Sequence, residues 1–198
     1  MIKKKLVFLC VMVLLQLFTN ESFAMSNIEN TTTINSQSNI VDGEITVKQA
    51  VRIGVMKAKE WDDKASLALV TSVDENLGGS RGFTGRRYNW NLIFINHDYT
   101  ESLILSISKG HITNFVPIKG RNDYDFINTE DVKVDSPTLV EIAKTKYKLK
   151  PGTEWATGYH FTLSNIDHLP CLRVVGLDRQ GRFTKLYFNV RDGQELFN

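Results

Sequence analysis

The side chains with the widest chemical range in this chain are its four histidines and two cysteines. A zinc site needs three or four His, Cys or carboxylate ligands that converge in space. The histidines form no H-x-x-x-H pair and the cysteines no C-x-x-C pair; these residues are His97, His111, His160, His168, Cys10 and Cys171. The spacing therefore favours surface and turn histidines, and we predict neither a metal site nor a cofactor.

Cys171 is the one cysteine outside the N-terminal apolar run, and it follows Pro170. A cysteine nucleophile needs a partnered base and an oxyanion hole, and no nucleophile-elbow motif surrounds this residue. Its surroundings indicate a small core residue, and an intermolecular disulfide is the functional alternative. An enzyme would also need titratable residues that converge in a cleft, and the sequence groups none. We predict that the protein is not an enzyme.

A glycine-rich stretch, "GGSRGFTGRR" at residues 78–87, is the strongest candidate contact surface. Arginine can fork onto carboxylates or phosphates, and phenylalanine can anchor in a partner's pocket. The stretch is no phosphate-binding P-loop, because the closing Lys-Ser/Thr pair is missing. We predict a mobile hairpin loop whose binding residues are Arg81, Phe83, Arg86 and Arg87; an exposed, solubilising hairpin tip is the alternative.

His160 is the fifth candidate binding residue. Residues 155–164 alternate between large apolar and small or polar side chains, which is typical of a strand. The alternation places His160 on the same face as Thr162 and Ser164. A ligand-facing sheet and a solvated sheet face both show this pattern.

The first 24 residues have the three-part layout of a secretory signal peptide. A basic head at residues 3–5 precedes an apolar run, Leu6 to Phe18, and small residues at Ser22 and Ala24 fit a cleavage site. The run is shorter than the ~20 apolar residues that a membrane span needs. We predict secretion with cleavage near Ala24; an uncleaved anchor would be the only attachment to a membrane.

Charge and cysteine content limit the partners and the stabilising bonds. The first 24 residues hold three of the 24 basic and one of the 22 acidic residues, so residues 25–198 carry no net charge. This balance gives no support to a nucleic-acid partner. With Cys10 in the signal, Cys171 has no internal partner, and the hydrophobic core must hold the fold.

The remaining chain shows one pattern of elements twice. Residues 25–44 are rich in Asn, Ser and Thr and predict a flexible linker. A unit at 45–120 begins with a capping box, Thr46 and Gln49, and continues as strands. After a polar connector at 121–134, a second unit at 135–198 begins with Ser136 as N-cap. We predict an α+β fold of two αβββ units, each an antiparallel sheet packed on one helix.

The second unit resembles a PepSY domain. The resemblance rests on the capped helix, on the strand ending near Ser164 and on the segment "CLRVVGLDRQGRFTKLYFNVRDGQEL". Asn189, Asp192 and Gly193 stand where that family has its closing turn. Residues 46–112 look like a degenerate first copy with a longer hairpin at 77–87, and cystatin-like proteins share a related αβββ arrangement.

The resemblance implies a bacterial protein that works outside the cytoplasmic membrane. PepSY-like domains occur in propeptides of thermolysin-type metalloproteases and in stand-alone secreted or tethered proteins, and the family offers no catalytic residues to transfer. We therefore expect a secreted, non-enzymatic protein that restrains or modulates an extracytoplasmic protein such as a peptidase. Addition of a partner strand at a sheet edge is one expected mode. The alternative is a small-ligand or glycan-binding module that uses a sheet face.

Overall fold

The computed structural model describes residues 43–74, 79–122, 124–153 and 156–196, which belong to one compact unit. The predicted signal and almost all of the linker at 25–44 lie outside these residues. The described residues form two α-helices and a seven-stranded antiparallel sheet, so the predicted α+β class is confirmed. The helices are α1 (Val47–Trp61) and α2 (Ser136–Thr145). The strands are β1 (Ser66–Ser72), β2 (Asn89–Ile95), β3 (Glu101–Ser108), β4 (His111–Lys119), β5 (His160–Ile166), β6 (Leu169–Leu177) and β7 (Phe183–Asn189).

Helix α1 begins as its sequence predicts. The Thr46 hydroxyl accepts the Gln49 N–H, and the Gln49 side chain accepts the Thr46 N–H, which completes the capping box. Apolar residues then recur at helical spacing and face the sheet; the buried ones are Val47, Ala50, Val51, Gly54 and Ala58. The helix thereby covers the first half of the sheet.

The N-cap of helix α2 lies one residue before the predicted N-cap. The N-cap is Asp135, whose carboxylate accepts the Ser136 N–H at 2.7 Å, and Pro137 takes the second helical position. Ser136 does not cap its own helix because its hydroxyl is engaged elsewhere: it accepts the Val47 N–H and donates to the Gly85 carbonyl. The predicted cap residue therefore joins α1, α2 and the glycine-rich loop.

All seven strands belong to one sheet, in the order β4-β3-β2-β1-β5-β6-β7. This arrangement differs from the prediction of a separate sheet for each unit, because β1 and β5 pair directly. Their pairing is short: Val70 opposes Leu163 and Thr71 opposes Thr162. Further along β1, the N–H of Ile127 donates to the Leu67 carbonyl, so a residue of the connector pairs with the strand in place of β5.

Both helices pack on the same face of the sheet and share one core. Its largest fully buried apolar side chains include Trp90, Phe94, Tyr159, Phe161 and Phe188. Burial of such rings removes a large apolar area from water and is the main source of stability in the described residues, whose single cysteine, Cys171, is free. Neither helix among the described residues is long and apolar enough to cross a membrane.

Strand β5 starts later than the alternation predicts. It begins at His160, because Gly158 has a positive φ of 88° that an extended strand does not accommodate. Trp155 lies outside the described residues. The predicted alternation holds in part: Tyr159, Phe161 and Leu163 are buried in the core and His160 and Ser164 are half-buried, but Thr162 is buried as well.

Candidate functional site

The glycine-rich loop between β1 and β2 is described from Gly79 onward, and Leu77 and Gly78 lie outside the described residues. Two consecutive turns shape it, closed by the hydrogen bonds from the Phe83 N–H to the Ser80 carbonyl and from the Gly85 N–H to the Gly82 carbonyl, each 2.9 Å. Gly82 and Gly85 have φ values of 81° and 75°, which glycine adopts without the strain that a Cβ brings. The loop therefore has a defined local geometry.

Close backbone packing holds this loop against the second half of the chain. A Cβ on Gly82 would lie 2.2 Å from the Tyr159 carbonyl oxygen, and one on Gly85 would lie 2.4 Å from Pro137. From the opposite side, a Cβ on Gly158 would lie 1.9 Å from the Arg81 carbonyl oxygen. The sequence led us to expect that glycine makes this loop mobile. In the structure the glycines instead allow the loop backbone to pack closely against Tyr159 and Pro137.

Arg87 is the main polar link between the loop and the segment that leads into β5. Its side chain is 1% exposed, and its guanidinium donates to the Tyr159 carbonyl from Nε at 3.1 Å and from Nη2 at 3.0 Å. A further bond reaches the Thr157 carbonyl at 3.3 Å. A planar guanidinium can serve several acceptors at once, which is why arginine suits this buried position. Arg87 therefore positions the loop and does not present its charge at the surface.

His160 and Asp74 complete the cluster around Arg87. The His160 Nε2 lies 3.0 Å from Arg87 Nη2 and 3.2 Å from Asp74 Oδ1, while Asp74 Oδ1 is 3.9 Å from Arg87 Nη1. Burial, followed by the positive charge of Arg87, lowers the pKa of His160 to about 4. At neutral pH the imidazole is therefore uncharged, and its Nε2 accepts a hydrogen bond from Arg87 Nη2.

The structure thus brings two of the predicted binding residues, Arg87 and His160, into direct contact. The sequence could not reveal this pairing, because the two residues are 73 positions apart. Sequence analysis missed Asp74, which follows β1 in a polar segment and carries no spacing signal. The cluster is chemically suited to holding three segments of the chain together.

The other three predicted residues form the exposed side of the loop. Phe83 is 46% exposed, and Arg81 and Arg86 are exposed on either side of it. We call these three side chains the loop surface. The inner edge of Phe83 contacts the ring of Tyr159 in a T-shaped arrangement with centroids 5.6 Å apart. The loop surface therefore carries one exposed aromatic ring and two exposed arginines within residues 81–86.

The N-termini of both helices meet beneath this loop. Ser136 Oγ accepts the Val47 N–H at 3.1 Å and donates to the Gly85 carbonyl at 2.6 Å. Asp135 Oδ1, the cap of α2, also accepts the Lys48 N–H in the first turn of α1 at 3.1 Å. The positive ends of two helix dipoles thus lie beside the loop, with these N–H groups already satisfied.

The remaining histidines and the cysteine lie away from the loop surface. His97, His111 and His168 are exposed, and among the described residues no group of three or more potential ligands is arranged around a common point. His97 pairs with Asp62 at 2.8 Å, which raises the pKa of the histidine and lowers that of Asp62 to about 2. Cys171 is 1% exposed, and burial raises its thiol pKa to about 11, which suppresses the reactive thiolate.

Comparison with known proteins gives a likeness of fold. No protein-family model matches the chain, and no curated protein matches it by sequence. A solved structure from Clostridium difficile 630, described as a "putative lipoprotein", resembles this chain with a TM-score of 0.52 and 11% sequence identity. The likeness covers 79% of this chain and 93% of that chain. At this identity it shows a shared, sheet-rich fold.

Proposed function

We propose that this chain is an extracytoplasmic, non-enzymatic protein that binds and regulates another extracytoplasmic protein through the loop surface. One observation carries the proposal: Phe83 is 46% exposed between Arg81 and Arg86, on a loop whose backbone is tightly packed. Arginine and large aromatic residues contribute most of the binding energy in many protein interfaces. A peptidase is the partner class that the resemblance to PepSY domains favours.

The rigidity of the loop supports a binding role. Binding orders side chains and loops at an interface, and each immobilised flexible side chain costs roughly 0.5–1.5 kcal/mol. Here the backbone below the loop surface is already fixed by Arg87 and by the close approach of Gly82 to Tyr159. A partner would therefore meet a surface that needs little further ordering.

Location and domain organisation belong to the same proposal. The first 24 residues support export, and the description of the structural neighbour as a lipoprotein agrees with a place outside the cytoplasm. The two helix-and-strand segments, 45–120 and 135–198, support a pair of PepSY-like units that share one sheet through β1 and β5. The linker at 25–44 would separate this body from its point of export.

A small-ligand or glycan-binding module is the alternative function. A glycan platform needs several aromatic rings exposed on one face. Trp90, Phe161 and Phe188 are fully buried, and the exposed strand aromatics Phe115 and Phe183 lie on opposite edge strands, β4 and β7. These positions favour the protein-binding function over the glycan platform.

Site-specific crosslinking in the producing cells tests the proposal. A photoreactive benzoylphenylalanine replaces Phe83 in the full chain, and the control places it at Phe115, which is 36% exposed on the edge strand β4. We expect a discrete adduct with an envelope or secreted protein from position 83 and none from position 115. The adduct should disappear when Arg81→Ser and Arg86→Ser are added.

The identity of the crosslinked protein then tests the regulatory part. If it is a peptidase, the parent chain should change its rate on a peptide substrate, and Phe83→Ser should not. Equal adducts from both positions, or none from position 83, would contradict the proposed contact surface.

A further inference from the structure

The guanidinium groups of the loop surface have few hydrogen-bonding or charged partners within the described residues. Within the described ranges the Arg81 guanidinium has no hydrogen bond or ion pair, and the Arg86 guanidinium donates to the neutral Gln49 side chain at 3.2 Å. Exposed arginines that serve stability are usually paired with carboxylates or stacked on rings. These two therefore keep their charge-assisted hydrogen-bonding capacity for another molecule.

Nearby carboxylates are already committed to other donors. Glu44 accepts the Ser80 N–H, and Asp74 Oδ1 lies 3.9 Å from the Arg87 Nη1 donor. Asp135 accepts the N–H groups of Ser136 and Lys48. Because each of these carboxylates contacts a donor of its own, they do not neutralise Arg81 or Arg86 by direct pairing.

The surroundings of the loop surface add further positive potential. The positive ends of the α1 and α2 dipoles lie at Val47 and Ser136, directly below Gly85. Lys48 and Lys133 are also exposed there, and the Lys48 ammonium donates to the Lys133 carbonyl at 3.2 Å. Among the described residues, Lys48 and Lys133 therefore add basic groups to those of the loop surface at this end of the sheet.

Building on the proposed function, we infer that the loop surface recognises an acidic segment of its protein partner, in which carboxylates flank an apolar or aromatic side chain. The carboxylates would accept the forked donors of Arg81 and Arg86. The apolar side chain would pack on the exposed ring of Phe83, which Tyr159 supports from below. Complementary charge of this kind raises the association rate and selects among partners.

The composition of the surface favours a polypeptide over an anionic membrane. Membrane-binding surfaces collect many Lys and Arg side chains over a broad area. Here the loop surface holds two arginines and one ring on a single loop, which is a small area for a membrane contact. Two arginines and a ring on one short loop match a peptide that carries both acidic and apolar residues.

Binding of a defined acidic copolymer tests the inference. The probe is a random copolymer of glutamate and tyrosine, titrated into the full chain at low ionic strength, with a lysine–tyrosine copolymer and phosphatidylglycerol vesicles in parallel. We expect the Glu–Tyr copolymer to bind and the Lys–Tyr copolymer not to bind. The variant Arg81→Ser/Arg86→Ser should lose about tenfold or more in affinity, and salt at 0.5 M should weaken the parent complex similarly.

Matched variants separate the site from general charge. Arg121→Ser/Arg179→Ser removes the same charge from exposed positions elsewhere and should leave the affinity within about twofold. Phe83→Ser should lower the affinity for the Glu–Tyr copolymer more than the affinity for polyglutamate, because only the Glu–Tyr copolymer offers a ring that packs on Phe83.

Three results would overturn the inference: no binding of the copolymer, equal loss in both double variants, or binding of the vesicles in place of the copolymer. The crosslinking experiment distinguishes this failure from failure of the proposed function. A specific adduct at position 83 together with indifference to the acidic copolymer would leave the protein-binding function standing and reject the acidic partner. Absence of both would reject both.

Discussion

Arg87 shows how one side chain can carry a long-range constraint. Its guanidinium donates to the carbonyls of Tyr159 and Thr157, which lie on the other half of the chain. Buried charges are tolerated when hydrogen bonds satisfy them, and removal of one partner leaves the others desolvated and unpaired. The loop surface therefore depends on a residue that no partner touches.

Replacement of Arg87 by lysine tests this dependence. A lysine keeps the charge and loses the planar fork, so buried carbonyls lose donors. We expect Arg87→Lys to lower the free energy of unfolding by roughly 2–3 kcal/mol, measured by urea denaturation. Arg86→Lys, on the exposed side of the same loop, should change it by less than about 0.5 kcal/mol. Equal effects of the two variants would show that Arg87 does not hold the loop.

His160 makes the stability of the fold sensitive to acid. Its pKa is about 4 in the folded chain, below the ordinary value of 6.5, so the unfolded chain binds the proton more strongly. The stabilising contribution of the neutral imidazole is therefore complete above pH 6.5 and is lost as the pH falls towards 4.

The variant His160→Gln isolates this contribution. The Gln carbonyl can still accept from Arg87 but does not titrate. We expect the parent to lose roughly 1–3 kcal/mol more stability than the variant between pH 7 and pH 4, measured by denaturant unfolding at each pH. Identical pH profiles for the two proteins would contradict the assigned protonation state.

At this scale, sequence analysis identified the residues better than their roles. Arg81, Phe83 and Arg86 lie on one exposed surface, and their binding role stays a prediction. Arg87 differs because its side chain turns inward and donates to the Tyr159 and Thr157 carbonyls. Sequence composition cannot report which way a loop residue points when the loop packs on a distant segment.

Addition of a partner strand would need an open edge of the sheet. At the β7 edge, Leu196 donates to the Tyr187 carbonyl and Asn189 donates to the Gln194 carbonyl, each at 2.8 Å, so residues 194–196 cover part of that edge. At the β4 edge, no described strand pairs with the outer side. The two ends of the sheet are therefore protected in different ways.

Pro117 occupies a protective position on β4. Gly120 donates its N–H to the Thr100 carbonyl, and the alternation of an antiparallel ladder then turns the Pro117 backbone nitrogen outward. Proline has no N–H, so this edge lacks one of the donors that an added strand would use. Strand addition at β4 is therefore disfavoured, which strengthens the case for the loop surface as the contact.

Restoring that N–H donor should increase self-association of the chain through the β4 edge. We expect Pro117→Thr to raise the average mass above that of the parent chain at equal concentration, measured by sedimentation velocity. Ile118→Thr serves as the control, because the N–H of residue 118 faces β3 and no outward donor is added. If Pro117→Thr sediments like the control across the concentration range, the proline has no protective role.

For the whole molecule, local signals predicted elements well and long-range contacts poorly. The capping box of Thr46 and Gln49 follows from neighbouring residues and was predicted correctly. The union of all strands into one sheet depends on contacts between Val70 and Leu163 and between Thr71 and Thr162. No local pattern encodes such contacts, so the sequence suggested two sheets.

The central position of β1 has a consequence for how the chain is made. β1 is among the first strands to leave the ribosome, yet its partner β5 starts at His160, more than 80 residues later. During that interval one side of the strand has unmet backbone groups, which invite pairing with neighbouring nascent chains. Ile127, which pairs with Leu67, emerges well before β5 and can occupy part of that side. The connector can therefore pair with part of the open side of β1 before β5 has been synthesised.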